Sequence, residues 1–235
     1  MRAAILTIGN ELVSGDTINS NAAWLAQRLE RLGVKVVISA AVPDEAEQIV
    51  DFIRRESPRV DHLLVTGGLG GTPDDLTREA VAIAFEVEPF ELKELAEQLR
   101  ARFSGDPEYV TRWAALPQGS RPLDNPLGGA PGFAIENTWV LPGLPSEMMA
   151  MFDLYAAEFD GGRPIESWRR RYQTRESRIA GALEHATRNW PDVSVGSYPS
   201  FLETGPEVEV VLKSADHQAL ADATAWLTEA LDNLA

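Results

Sequence analysis

The chain contains no cysteine, which excludes disulfides, thiolate nucleophiles and thiolate metal sites together. Its three histidines, His62, His185 and His217, lie far apart in sequence with no pair at ligand spacing, so a histidine-based zinc site is not expected. Basic residues are also scarce: 21 Lys and Arg stand against 36 Asp and Glu, for a net charge of −15. No basic block offsets that field, and general nucleic-acid binding is not expected. The one basic cluster, Arg169-Arg170-Arg171, reads as a solvated face. No apolar run approaches membrane-spanning length, so no membrane association is expected. Met1-Arg2 leads straight into Ala3-Ala4-Ile5-Leu6 with no secretory pattern, which predicts a cytoplasmic protein. No serine sits in a nucleophile-elbow context, so covalent acyl chemistry has no support.

What is present is concentrated at residues 62–79. The apolar run His62-Leu63-Leu64-Val65 precedes Thr66-Gly67-Gly68-Leu69-Gly70-Gly71-Thr72-Pro73-Asp74-Asp75-Leu76-Thr77. This pattern predicts a buried strand, a glycine-rich turn and two carboxylates at the mouth of a helix. Glycines let backbone N–H groups approach a phosphate closely, and a helix N-terminus favours an anion. Carboxylates at the same place repel one unless a divalent cation lies between. The motif therefore points to a metal-bridged phosphate or diphosphate, with amides of Gly67, Gly68, Leu69, Gly70 and Gly71 on the anion. The plainer alternative is a tight turn with Asp74 as N-cap and Asp75 in the first helical turn.

The first 160 residues alternate strand and helix patterns: strand 3–8, helix 19–32 closed by Gly33, strand 34–41, helix 44–55, strand 61–66, helix 76–85 and helix 90–103. Such alternation predicts a mostly parallel sheet covered on both faces, with ligands outside the strand C-termini. A Pro- and Gly-rich stretch over 116–145 holds two strands, 132–136 and 138–141, as a hairpin around Glu136-Asn137. Pro145-Ser146-Glu147 then opens a helix. Asp160-Gly161-Gly162-Arg163-Pro164 reads as the boundary between a domain of residues 1–160 and a small α+β module of residues 165–235. That module has the pattern strand 168–174, helix 176–189, strands 193–198 and 207–213, and helix 216–234.

In a parallel sheet, the loop after the first strand shares an edge with the glycine turn. Glu11 and Asp16 there are candidate metal ligands or water-orienting groups, and Asn21 a contact for a base or ribose. Turn and cap roles compete for Asp16 and Asn19. Asp44 in Val42-Pro43-Asp44-Glu45 reads as the N-cap of the next helix, yet emerges at the same edge. The turns Asn125 to Gly132 and Leu141 to Met148 are tight, and the second ends at a helix N-terminus, where Ser146 is a candidate oxyanion contact.

Gly9-Asn10-Glu11-Leu12, Thr66-Gly67-Gly68-Leu69-Gly70, Asp74-Asp75-Leu76-Thr77, Asn125 to Gly132 and Leu141 to Met148 occur in the order seen in the CinA family. Residues 1–158 thus resemble the MoaB/MogA molybdopterin-binding fold, a three-layer α/β domain with a mostly parallel sheet. Residues 168–234 resemble the small KH-like module of the same proteins, through Arg175-Glu176-Ser177, Ile179 and Val195-Gly196-Ser197-Tyr198-Pro199. The resemblance implies metal-dependent hydrolysis of ADP-ribose-type dinucleotides, with Mg²⁺, Mn²⁺ or Co²⁺, and a homo-oligomer. Adenylyl transfer to molybdopterin, or non-catalytic binding of a pterin or nucleotide, are the alternatives. By the same resemblance Asp44, Asp74 and Asp75 are catalytic candidates, and Asp44, Asp75 and Glu11 metal-ligand candidates. The deamidase domain of full-length CinA proteins lies outside the match, so its activity is not implied. Two positions depart from the pattern. Gly71 stands where proline is usual, and Gly129 where a threonine would offer a hydroxyl to phosphate.

Overall fold

The computed structural model describes residues 1–103 and 107–233, which divide into two compact units, residues 1–29 with 34–160 and residues 30–33 with 161–235. In the first unit, the apolar run after Arg2 has no polar interruption until Thr7, the mark of a strand covered on both faces. It forms β1 (Arg2–Ile8), buried from Ala3 onward. β1 pairs in parallel with β2 (Lys35–Val42) on one side and β3 (His62–Thr66) on the other. β3 pairs in parallel with β8 (Thr138–Leu141), which turns antiparallel to β7 (Gly132–Ile135) and so to β6 (Arg121–Leu123). The order is β2-β1-β3-β8-β7-β6. The hairpin turns at Glu136-Asn137, with Glu136 at φ +50°, the left-handed backbone that tight hairpin turns require.

Helices cover both faces. Ala4, Leu6, Ile8, Leu63 and Val65 pack with Ile49, Phe52 and Ile53 of α3 (Ala46–Glu56), Ala80 and Val81 of α4 (Thr77–Ala84) and Leu99 of α5 (Lys93–Arg102). The opposite face carries α2 (Ser20–Arg31) and α7 (Pro145–Tyr155), joined edge to face by Trp24 and Phe152 at 5.5 Å. The domain is thus a three-layer α/β fold with a mostly parallel sheet, as the sequence predicts. A five-residue helix, α1 (Asn10–Ser14), follows β1 directly.

The expected helix over 90–103 begins late. Pro89 and Phe90 belong to β4 (Pro89–Glu91), which pairs antiparallel with β5 (Ala115–Pro117), Phe90 opposite Leu116. The residue before a proline is driven to extended backbone, and a strand 25 residues onward rewards it. The helical period of Leu92, Leu95 and Leu99 therefore starts only at Lys93. Between the described residues of α5 and β5 lies α6 (Pro107–Thr111), then a 3₁₀ turn over Arg112–Ala114.

The second unit runs β9 (Glu166–Tyr172), α8 (Glu176–Asn189), β10 (Ser194–Leu202), β11 (Gly205–Ser214) and α9 (His217–Asp232), with antiparallel sheet order β10-β11-β9. Ile179 and Ala186 of α8 and Leu220, Ala223, Leu227 and Leu231 of α9 bury against Val208, Val210 and Leu212. Asp216 caps α9, its Oδ1 accepting from the Gln218 and Ala219 N–H groups at 3.0 Å. Residue 234, the expected end of this helix, lies outside the described residues.

Candidate functional site

Because β1, β3 and β8 are parallel, the loops leaving their C-termini share one edge of the sheet, the position where open α/β sheets bind ligands. A cavity of about 440 Å³ opens there, lined by the ends of β1 and β3 and by Glu11, Asn21, Asp44, Asp74, Asp75 and the turn 143–145.

Its floor rests on two buried threonines that are register partners, Thr7 and Thr66. Each anchors the start of α2. Thr7 Oγ1 donates to the Ala40 carbonyl at 3.1 Å and accepts from Asn19 Nδ2 at 2.7 Å. Thr66 Oγ1 donates to the Pro142 carbonyl at 2.6 Å and accepts from Asn21 Nδ2 at 3.2 Å. Asn19 is also a cap, its Oδ1 accepting from the Ala22 N–H at 3.1 Å. The Asn21 amide group donates a second bond, to the Gly143 carbonyl at 2.8 Å. This side chain therefore spends its N–H donors on scaffolding rather than offering them to a base or ribose, as expected from the sequence. Its Oδ1 is buried without a partner among the described residues.

Four carboxylates line the cavity, Glu11, Asp44, Asp74 and Asp75, and none of the described residues lining it is basic. Asp44 is not the N-cap of α3; Glu45 holds that position without a side-chain bond. Instead Asp44 Oδ2 accepts from the Asn10 N–H at 2.8 Å. Burial pushes the Asp44 carboxyl above the usual range, and the charges of Glu11, Asp74 and Asp75 push it further, against the lowering effect of the Asn10 N–H. Asp74 is fully exposed, and a hydrogen bond from Thr72 holds its carboxyl below the usual range. It does not cap α4 either, whose N-cap is Leu76. Asp75 faces back into the glycine turn: Oδ1 accepts from the Gly70 N–H at 2.8 Å, and Oδ2 from the Thr72 N–H at 2.8 Å and the Thr72 hydroxyl. Among the described residues no group of three or more His, Cys, Asp or Glu forms a ready metal cage.

The glycine turn is braced from outside the cavity. Thr77 Oγ1 donates to the Gly67 carbonyl at 2.8 Å. Arg78 donates to the Leu69 and Gly70 carbonyls, and burial pulls its pKa down to about 10. Arg112 Nη1 donates to the Gly71 carbonyl at 2.8 Å. The Gly67 N–H donates to the Leu141 carbonyl, Gly70 to Asp75 and Gly71 to the Tyr109 hydroxyl at 3.1 Å. The expected cradle of five amides therefore narrows to those of Gly68 and Leu69, and of these two residues only Gly68 lines the cavity. Gly67 is required by close approach: at φ +109°, an added Cβ would lie 2.2 Å from the Ile8 carbonyl oxygen.

The two departures from the family pattern have local partners. Proline at 71 would forfeit the N–H that Tyr109 accepts. A Cβ at Gly129 would meet the Glu147 carboxylate at 2.2 Å, and that carboxylate accepts from Asn125 Nδ2 at 2.9 Å. Asp16 stands away from the cavity, accepting from Ser14 Oγ at 2.6 Å. Ser146, exposed on α7, is likewise not among the lining residues, although Gly143, Leu144 and Pro145 are. Sequence reasoning gave no role to Thr7, Asn10, Thr66 and Arg78. The available signal was a threonine closing each of two apolar strands.

A parallel-sheet edge with a glycine turn and converging acids defines a MoaB/MogA-like domain. Residues 4–160 match the family described as probable molybdopterin binding domain, and the chain belongs to that family. Residues 170–235 match the middle domain of FAD synthase. Within the family the likeness is to CinA. The crystal structure of CinA from Thermoplasma acidophilum, 29% identical, superposes with a TM-score of 0.64 over 67% of this chain and 97% of that one. A CinA-like protein of Citrifermentans bemidjiense is 36% identical over 93% of this chain, which spans 55% of that longer relative. A protein of Archaeoglobus fulgidus is 39% identical over 85% of this chain and 86% of its own length.

Proposed function

We propose that this protein hydrolyses the diphosphate of an ADP-ribose-type dinucleotide with the help of a divalent cation. One observation carries the reading: the cavity at the sheet edge is lined by four carboxylates and, among the described residues, by no Lys or Arg. A phosphate group entering such a site is repelled unless a cation accompanies it. The donor set suits a hard ion such as Mg²⁺, Mn²⁺ or Co²⁺. Mg²⁺ is characteristically held by one or two carboxylates, with water and substrate phosphates completing the shell, so a cage of three protein acids is not required. Asp44, whose Oδ2 takes one hydrogen bond, and Asp75, whose Oδ1 takes one, retain oxygen lone pairs for that role, with Glu11 beside them. When bound, the cation would supply charge neutralisation and a polarised water.

The chain's own residues do the rest. The Gly68 N–H meets a phosphate oxygen. The bracing of the glycine turn by Thr77, Arg78 and Arg112 fixes that donor in advance, so no reorganisation is needed during reaction. Asp74, exposed on the cavity wall, orients the water. Its oxygen bonds to phosphorus as the bridging P–O bond breaks, leaving AMP and ribose 5-phosphate.

The deciding experiment incubates the protein with ADP-ribose, FAD and ATP, each with Mg²⁺, Mn²⁺, Co²⁺ or EDTA. AMP released from ADP-ribose only with metal is the expected result. AMP joined to added molybdopterin would favour the adenylyl-transfer alternative, and binding without product would favour a non-catalytic pterin or nucleotide module. Family membership supports binding of such small molecules, and self-association into a homo-oligomer is proposed alongside it.

A further inference from the structure

The cavity is not acidic throughout. Leu12, Ile18, Leu144 and Pro145 line it together with the carboxylates, and Ile18 and Leu144 are 87% and 57% exposed. Single exposed apolar residues need no explanation, but two on the lips of one polar cavity do. They belong to walls that cannot drift apart. Asn21 Nδ2, three residues beyond Ile18, donates to the carbonyl of Gly143, the residue before Leu144, at 2.8 Å, and Asn21 is itself tied to Thr66.

We infer that Ile18 and Leu144 form the seat for the heteroaromatic base of a nucleotide whose diphosphate lies over the acids; the inference rests on the hydrolase reading above. A base has apolar faces and polar edges. The two aliphatic side chains suit the faces, and the hydroxyls of Thr17 and Ser20, which also line the cavity, suit the edge. An ordinary ligand pocket has a volume of roughly 300–1,000 Å³, and about 440 Å³ here falls within it. The arrangement makes the rim the determinant that separates nucleotides from inorganic diphosphate or sugar phosphates of equal charge.

The test is calorimetry on the full chain with Mg²⁺, comparing ADP and inorganic diphosphate, for the wild type, Ile18→Ser and Leu144→Ser. Ile18 is so exposed that its replacement leaves folding intact, which a melting curve checks. Each variant is expected to bind ADP about tenfold more weakly while binding diphosphate within about twofold of wild type. Equal losses on both ligands, unchanged ADP affinity, or a wild type that binds ADP no better than diphosphate would overturn the inference and leave the hydrolase reading standing. A wild type that binds neither ligand removes both. Sedimentation of the same variants covers the other occupant, a second copy of the chain. A fall in mass on Ile18→Ser with unaltered ADP binding makes the rim a self-association contact and overturns the base seat.

Discussion

Asn10 and Asp44 hold each other reciprocally across the sheet edge: the Asn10 N–H donates to Asp44 Oδ2 at 2.8 Å, and the Asp44 N–H points at Asn10 Oδ1 at 3.4 Å. The first residue of α1 thereby fixes a carboxylate that follows β2, 34 positions away in sequence. The pair explains why Asp44 leaves the helix cap to Glu45 and faces the other acids.

Asp44 is therefore expected to cost stability in the metal-free protein. Its folded pKa is raised, first by burial and then by Glu11, Asp74 and Asp75. The native state thus favours the protonated form, and the penalty grows as pH rises from the ordinary carboxylate range through the raised folded value. Asp44→Asn should melt at or above the wild-type temperature at pH 7 in EDTA, with the advantage vanishing near pH 3, while metal-dependent binding of ADP-ribose is lost. A variant less stable than wild type at pH 7 would show that the Asn10 hydrogen bond outweighs the repulsion.

Asp75 behaves differently. Read from sequence alone, Asp75→Asn should lower turnover by roughly a hundredfold with little change in melting temperature. The structure revises the second half. All three groups facing this carboxylate are donors, so an amide NH₂ must oppose at least one of them. Urea denaturation should show a loss of about 1–3 kcal/mol alongside the fall in turnover. Full stability would mean that the turn rearranges around the amide.

Gly67 and Gly119 separate close approach from positive φ. Both lie in the left-handed region, but a Cβ at Gly119 meets nothing within 4 Å whereas one at Gly67 runs into the Ile8 carbonyl. Gly119→Ala should cost about 1–2 kcal/mol, and Gly67→Ala distinctly more, measured by the same denaturation. Equal costs would mean that β1 and β3 can separate at their ends.

For the second unit, single-stranded RNA binding at low salt is expected to stay weaker than micromolar. The triple arginine of β9 is already matched: Arg169 pairs with Glu209, Arg170 with Asp232, and Arg171 with Glu207 and Glu209. The segment also has no Gly-X-X-Gly between helices of the kind that clamps a nucleic-acid backbone. Filter binding with sub-micromolar affinity would refute this, and the proposed architectural or dimer-forming role with it.

The sequence by itself determined the elements whose burial is written locally. The uninterrupted apolar run of β1, the period of Ile179 and Ala186 in α8, and the turn at Glu136-Asn137 all carry their signal within a dozen residues. The same holds for convergence of the loops after Ile8 and Thr66, since parallel strands must send both to one edge. What only the tertiary structure decided was how each polar group is spent. Whether Asp44 caps a helix or faces a cavity depends on Asn10, and whether Gly71 offers its N–H to a ligand depends on Tyr109. Those partners lie 34 and 38 positions away. A donor or acceptor has several partners of nearly equal energy available in the chain. The fold chooses among them by proximity, which no local pattern encodes.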